Sequence, residues 1–243
     1  MLPELILKEE RDDNFALLFV LGVASAGIGF LAANFLFPSQ VAVLSVVFAS
    51  IPLVYPLATK FLEDEDKGPG YFVEEIKIYG SLFAGEALAF TMIGLVKPSV
   101  LSLQASVAGI SGRATAPGLF QSVLLNNLTV FAGILAVSAV IGSAGAFILV
   151  WNASVLGRFF AGLLSRLNGL EVLTGSSQVA TPVAYIPHAT LEMTGFIIAG
   201  ISGSLVSAAV YREHFDRDTW VYLVKLVLLG VACILAGALL ETA

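Results

Sequence analysis

Charged side chains are scarce in this chain: Asp, Glu, Lys and Arg together make up 12% of its 243 residues. Hydrophobic residues make up 58% and the mean hydropathy is +0.92, whereas soluble domains are roughly 45–50% apolar. The single cysteine, Cys233, excludes an internal disulfide framework. A net charge of −6 speaks against a nucleic-acid partner, because phosphate binding needs clustered Lys and Arg. The composition therefore predicts an integral membrane protein.

Long apolar runs recur along the whole chain, each of roughly 20 residues and so able to cross about 30 Å of hydrocarbon. Backbone groups in lipid must form hydrogen bonds internally, and no alternating pattern typical of a β-barrel is present, so every span is expected to be helical. We predict an all-α polytopic membrane protein that forms a single domain over residues 1–243. The predicted spans are 14–37, 41–59, 71–96, 126–151, 186–211 and 219–240.

Residues 153–167 are harder to assign, because fifteen residues are short for a crossing and a re-entrant or surface helix competes with a seventh span. With seven spans, nine Lys and Arg residues lie on the cytoplasmic side and three, Lys97, Arg113 and Arg166, outside. With six spans the counts are seven and five. The positive-inside rule thus favours seven spans in the cell membrane, and either count places the N-terminal segment 1–13 in the cytoplasm. That segment has no signal-peptide core.

The predicted fourth span has one face of small and polar residues. At 100° per residue its members fall within an arc of about 80°. They are Asn127, Ser138, Gly142, Gly145 and Asn152. Such a face allows close helix packing and interhelical hydrogen bonds, so it is expected to contact protein. Simple packing and a water-lined path both stay open, and the small-residue faces are also compatible with a homodimer.

The most informative polar residues lie at the head of span 186–211. His188 and Glu192 are four positions apart, so their side chains can touch on one helix face. Pro187 predicts a break in the chain that leaves unpaired N–H groups at the start of the following helix. The same face continues through the small residues Gly195, Ala199 and Gly203.

Three interpretations of the His188 and Glu192 pair stay open: a structural hydrogen bond, an ion or proton relay, and a metal-hydrolase site. An ionisable group at bilayer depth costs roughly 2.5–3.5 kcal/mol, which calls for a partner or a function. Glu86, in the middle of the third span, is a candidate third member of an ion site. The metal interpretation lacks a third ligand, because no HExxH motif or Cys/His cluster is present. We therefore expect no bound metal, no cofactor and no catalytic residues.

Three motifs resemble, in order and spacing, those of the stage II sporulation protein M family. They are Asn126-Asn127, the stretch Asn152 to Gly157, and Pro187-His188-Ala-Thr-Leu-Glu192, within residues 118–211. Ala153 and Ala189 stand where the family usually has glycine. The resemblance implies a membrane architecture with Asn126, Asn127, Asn152, His188 and Glu192 as its polar residues.

The resemblance also implies a function. The family's namesake is thought to anchor partner enzymes in a membrane complex, so we expect a non-enzymatic membrane scaffold or complex component, with the lipid bilayer and other membrane or envelope proteins as its partners. The alternative is a small-solute or ion transporter or channel that uses the intramembrane His-Glu pair.

Overall fold

The architecture is entirely helical in a computed structural model of the chain, which describes residues 14–65, 72–111, 119–142, 145–168, 186–211, 213 and 216–242. Eight α-helices and one short 3₁₀ helix, Pro98–Leu101, occur in these ranges. The α-helices are α1 (Phe15–Leu36), α2 (Val41–Glu65), α3 (Phe72–Val96), α4 (Ser102–Ser111), α5 (Leu119–Ile141), α6 (Gly145–Asn168), α7 (Ile186–Tyr211) and α8 (Arg217–Thr242). The described part of the chain contains no strand, which confirms the predicted fold class.

Six of the helices, α1, α3, α5, α6, α7 and α8, are long and apolar enough to cross a membrane. In α2 the apolar stretch Val41–Val54 is shorter. The start of α1 is fixed locally, because the side-chain oxygen of Asn14 accepts a hydrogen bond of 3.0 Å from the backbone N–H of Leu17. The chain is therefore a polytopic membrane protein, as its composition predicts.

The bounds predicted for the fourth span were wrong. Residues 126–151 do not form one helix, because α5 ends at Ile141 and α6 begins at Gly145. Gly142 has a φ of +64°, the left-handed conformation with which helices commonly end and which glycine adopts without steric cost. Residues 153–167 lie within the 24-residue α6, which is long and apolar enough to cross a membrane, and so do not form a separate short helix. The sequence gives no signal for this turn, because no charged residue interrupts the apolar run on either side of it.

Close backbone contacts define the direction of the helices. Gly22 and Gly85 lie where parallel α1 and α3 touch, since a Cβ at either position would meet the backbone of the other helix. Gly203 makes the same kind of contact between parallel α5 and α7, and α8 packs along α7 in the opposite direction. Gly94 of α3 meets Ala161 of α6 and Gly157 of α6 meets Phe90 of α3, so these two helices are also parallel. The second half of α6 and the first turns of α7 line one cavity. One end of the bundle, called here the cavity end, therefore contains the last turns of α1, α3, α6 and α8 and the first turns of α5 and α7.

The centre of the bundle is α7, which contributes the largest share of the buried core. Ile198 and Ile201 are 1% and 0% exposed. They pack in one hydrophobic cluster with Ile134 of α5, Leu149 of α6 and Ile234 of α8. This packing fixes the positions of the four helices that surround the polar residues described next.

Candidate functional site

A cavity of about 410 Å³ lies between α5 and α6, next to α7 and the last turn of α8. Although α5 and α6 follow each other in sequence, α5 packs mainly on α7 and α6 mainly on α3, so a space between them stays open. The polar residues that line the cavity are Asn126, Asn127, Asn152, His188, Glu192 and Glu241. The larger apolar residues are Val130, Ile148, Trp151, Val155, Leu156, Phe159, Met193 and Phe196.

A hydrogen bond between α5 and α7 is the best-defined polar contact of the cavity. The side-chain amide of Asn127 donates to Oε1 of Glu192 over 2.5 Å. Asn127 in turn accepts a hydrogen bond of 3.3 Å from the amide of Asn126 at its Oδ1. Asn127 and Glu192 are buried, whereas Asn126 is exposed. The two asparagines therefore play different parts: Asn127 holds the carboxyl group of Glu192, and Asn126 lies at the edge.

Glu241 joins the predicted His-Glu pair from the far end of the sequence. His188, Glu192 and Glu241 each offer one potential ligand atom, and these atoms all lie within 4.8 Å of one another. His188 and Glu192 are 8% and 9% exposed, and Glu241 is partly buried. The cluster therefore combines one imidazole and two carboxyl groups beside the open space of the cavity.

Gly237 brings Glu241 to this position. A Cβ atom at residue 237 would lie 2.7 Å from Cγ of Glu192 and 3.2 Å from the carbonyl oxygen of His188, so α8 can approach α7 this closely only without a side chain there. Glu241 follows Gly237 by four residues and lies on the same helix face. Close packing of α8 on α7 thus places the second carboxyl group beside the first.

Asn152 lines the cavity, but from a different helix than Asn127. It was expected to share one helix face with Asn127, but the turn at Gly142 places the two residues on separate helices that both line the cavity. The amide of Asn152 donates 2.8 Å to the backbone oxygen of Ile148, one turn earlier in α6. This bond turns the amide nitrogen of Asn152 towards its own helix.

Glu86 does not belong to this cluster, which corrects the prediction that it completes an ion site with His188 and Glu192. It is 2% exposed and borders a separate cavity of about 10 Å³. Ser25 of α1 is its hydrogen-bonding neighbour, and within the described part of the chain its Oε1 has no partner. Glu86 and the His188 cluster are therefore two distinct polar sites.

The residues predicted to form a packing face take several positions. Gly195 lies against Gly230 and Ile234 of α8, while Gly203 lies against α5. The remaining members are fully buried Ala199, Gly142 after α5, and Gly145 at the start of α6. Pro187, predicted as a helix break, is exposed in the first turn of α7. The small residues of α7 thus allow two neighbouring helices, α5 and α8, to pack closely against it. The chain break predicted before Pro187 falls partly in residues 169–185, which lie outside the described ranges.

Sequence reasoning missed Glu241 and the apolar wall of the cavity. The one local signal for Glu241 is its position four residues after Gly237, at the end of a stretch from Leu226 to Leu240 that contains no charged residue. An acid at the end of a span is ordinarily explained by its closeness to water, so this signal is weak. The aromatic residues Trp151, Phe159 and Phe196 carry no signal, because such residues are common throughout the chain.

The family described as stage II sporulation protein M (SpoIIM) has a sequence model that matches residues 15–243. No curated protein and no solved structure shows significant similarity to the chain. The family match extends well beyond the 118–211 region in which the motifs occur.

Proposed function

The chain belongs to the stage II sporulation protein M family, and we propose that it is a non-enzymatic membrane protein that binds a small cationic solute in the cavity between α5 and α6 and carries it across the membrane. The observation that supports this proposal is the convergence of His188, Glu192 and Glu241 beside a cavity of about 410 Å³. Cavities of this size suit small ligands.

The sign of the solute charge follows from the lining. Two carboxyl groups stand close together, and the described residues that line the cavity include no Lys or Arg. Acidic side chains within membrane helices characteristically mark ion or substrate paths. A cation in the cavity would offset their mutual repulsion, whereas an anion would add to it.

A carrier mechanism suits this bundle better than an open pore. Beyond the cavity, Ile134, Ile198 and Ile201 are each at most 1% exposed and pack into one core. Passage to the other side therefore requires a rearrangement, as in carriers whose site opens alternately to each side. We expect this rearrangement to pivot at Gly142, whose left-handed backbone ends the first of the two helices that flank the cavity.

We propose that the cavity end faces the outside and the N-terminus the cytoplasm. Among the Lys and Arg residues that the structure describes, Lys97, Arg158 and Arg166 lie in the half of the bundle nearer the cavity end, whereas Lys60, Lys77, Arg217 and Lys225 lie nearer the opposite end. In sequence, Lys8, Arg11, Lys67 and Arg212 adjoin helix ends of this opposite side, which the positive-inside rule therefore assigns to the cytoplasm. Arg158 changes sides relative to the sequence-based count, because it lies in the second half of α6.

The test is flux through the purified chain in liposomes. Ion fluxes would be compared for a panel of Na⁺, K⁺, Mg²⁺, Mn²⁺ and Zn²⁺, using the wild type, Glu192→Gln and the matched control Glu74→Gln, whose residue is exposed on α3. We expect flux above that of empty liposomes for the wild type and Glu74→Gln, and its loss in Glu192→Gln. Wild-type flux equal to that of empty liposomes for every ion would refute the transport function.

A second candidate function is that of a scaffold within a membrane complex. The tightly packed core beyond the cavity also suits a protein that does not change shape, and the family's namesake is regarded as such a scaffold. Cross-linking in native membranes would test it through the polar segments at residues 63–70 and 211–218. A scaffold predicts the same specific partners for wild type and Glu192→Gln, and recovery of abundant bystanders alone would count against it.

A further inference from the structure

We infer that His188, Glu192 and Glu241 form a binding site for a divalent transition-metal ion of the zinc class. This inference deepens the proposed function by naming the class of cation, and it rests on that function only for the step of transport, not for binding. The sequence offered two ligands at helical spacing and predicted no metal. Folding supplies the third ligand from α8.

The ligand set matches the chemistry of such ions. Zinc binds imidazole nitrogen and carboxylate oxygen at about 2.0–2.2 Å, and sites that exchange a ligand commonly use three protein groups. Mixed nitrogen and oxygen ligands favour zinc and its first-row neighbours over Ca²⁺ and Mg²⁺, which prefer oxygen alone.

The geometry requires little movement. The three ligand atoms already lie within 4.8 Å of one another, and ligands of one tetrahedral ion stand about 3.4 Å apart at the usual bond lengths. The difference is about 1.4 Å, which lies within the reach of side-chain rotation in the cluster. The backbone need not move, because Gly237 already places α8 against α7.

Asn127 has the position of a supporting residue. It donates its hydrogen bond to Oε1 of Glu192 and thereby orients that carboxyl group, as hydrogen-bonded residues behind metal ligands commonly do. Three protein ligands leave a fourth coordination position, which would face the cavity. A site of this kind can exchange its ion, whereas structural zinc sites usually have four protein ligands.

The experiment measures zinc itself on the full-length chain in detergent. The protein would carry no histidine tag, and Cys233→Ser and His214→Gln would remove the single thiol and the one imidazole outside the site. After exhaustive dialysis against a chelator, zinc is titrated into this background and into Glu241→Gln, His188→Ala and Glu74→Gln derived from it. We expect about one zinc ion per chain, affinity at least about 10-fold weaker in the first two variants, and no change in Glu74→Gln.

Cobalt gives a readout that a merely structural role would not alter. Co²⁺ bound by nitrogen and oxygen in four- or five-coordination absorbs visible light, and we expect Glu241→Gln to change this spectrum while its elution in size-exclusion chromatography stays that of the wild type. Glu241 is partly exposed at a helix end, so the variant is expected to fold even if Glu192→Gln does not.

The outcomes separate the two proposals. Absence of stoichiometric zinc in the wild-type background, or equal zinc affinity in Glu241→Gln, overturns the metal site. Zinc binding that Glu241→Gln weakens, together with no flux in liposomes, supports the metal site and refutes transport. Flux of other ions by a chain that binds no zinc refutes the metal site and leaves transport standing.

Discussion

Asn127 of α5 and Glu192 of α7 are joined by a hydrogen bond of 2.5 Å, although 65 positions separate them in the chain. Both side chains are buried to more than nine-tenths, so this bond replaces much of their contact with water. The bond links two parallel helices at the cavity end, and it relates the Asn-Asn motif directly to the Pro-His-Ala-Thr-Leu-Glu motif.

Loss of this bond should destabilise the bundle. We expect Asn127→Ala to lower the free energy of unfolding by about 1–3 kcal/mol, because a buried carboxyl group is left without its donor. Asn126→Ala is the matched control and should cost less than about 0.5 kcal/mol, since its side chain is exposed. Chemical unfolding in detergent measures both values. Equal losses in the two variants would contradict the central place of Asn127.

Opposite effects are expected from alanine at two glycines. Gly237→Ala places a Cβ atom 2.7 Å from Cγ of Glu192, which should push α8 away and cost about 1–3 kcal/mol. Gly27→Ala meets nothing within 4 Å and should be neutral or stabilise by up to about 1 kcal/mol through helix propensity. Thermal unfolding of both variants in one detergent provides the comparison. A stable Gly237→Ala variant with unchanged zinc affinity would mean that α8 is not held this closely.

Glu86 should behave independently of the cavity. Glu86→Gln keeps the side-chain shape and removes an acid whose Oε1 is buried without a partner in the described part of the chain. Because a neutral amide costs less to bury than a carboxylate, we expect equal or greater thermal stability and no change in zinc affinity. Loss of zinc in this variant would show that the two polar sites communicate.

Accessibility of the cavity can be measured by labelling single cysteines in a Cys233→Ser background. Val155→Cys lines the cavity and should react in intact cells with a membrane-impermeant maleimide, since the cavity end is proposed to face outside. Ile201→Cys is the control, because residue 201 is 0% exposed. Labelling of Val155→Cys only after the cells are opened would reverse the orientation, and no labelling in either case would indicate a closed cavity.

Much of the fold was predictable because it follows from local composition. Apolar length predicted α1, α3, α7 and α8 to within a few residues, since a predominantly apolar run in lipid has no alternative to a helix. The turn at Gly142 was not predictable from the same reasoning. Nothing polar enough to stop a span marks it, and only the separate packing of α5 on α7 and α6 on α3 makes the division visible.

The candidate site, like the fold, was predictable only where it depends on residues close together in the chain. The pair His188 and Glu192 could be predicted from the sequence, because residues four apart on a helix share a face wherever that helix lies. The hydrogen bond from Asn127 to Glu192, the place of Asn152 on another helix and the second carboxyl group from Glu241 became visible only in the folded chain. The same holds for the separation of Glu86 from this site. These contacts join residues far apart in the chain, and their existence depends on how closely whole helices pack, which glycines such as Gly237 control through the space that they leave free.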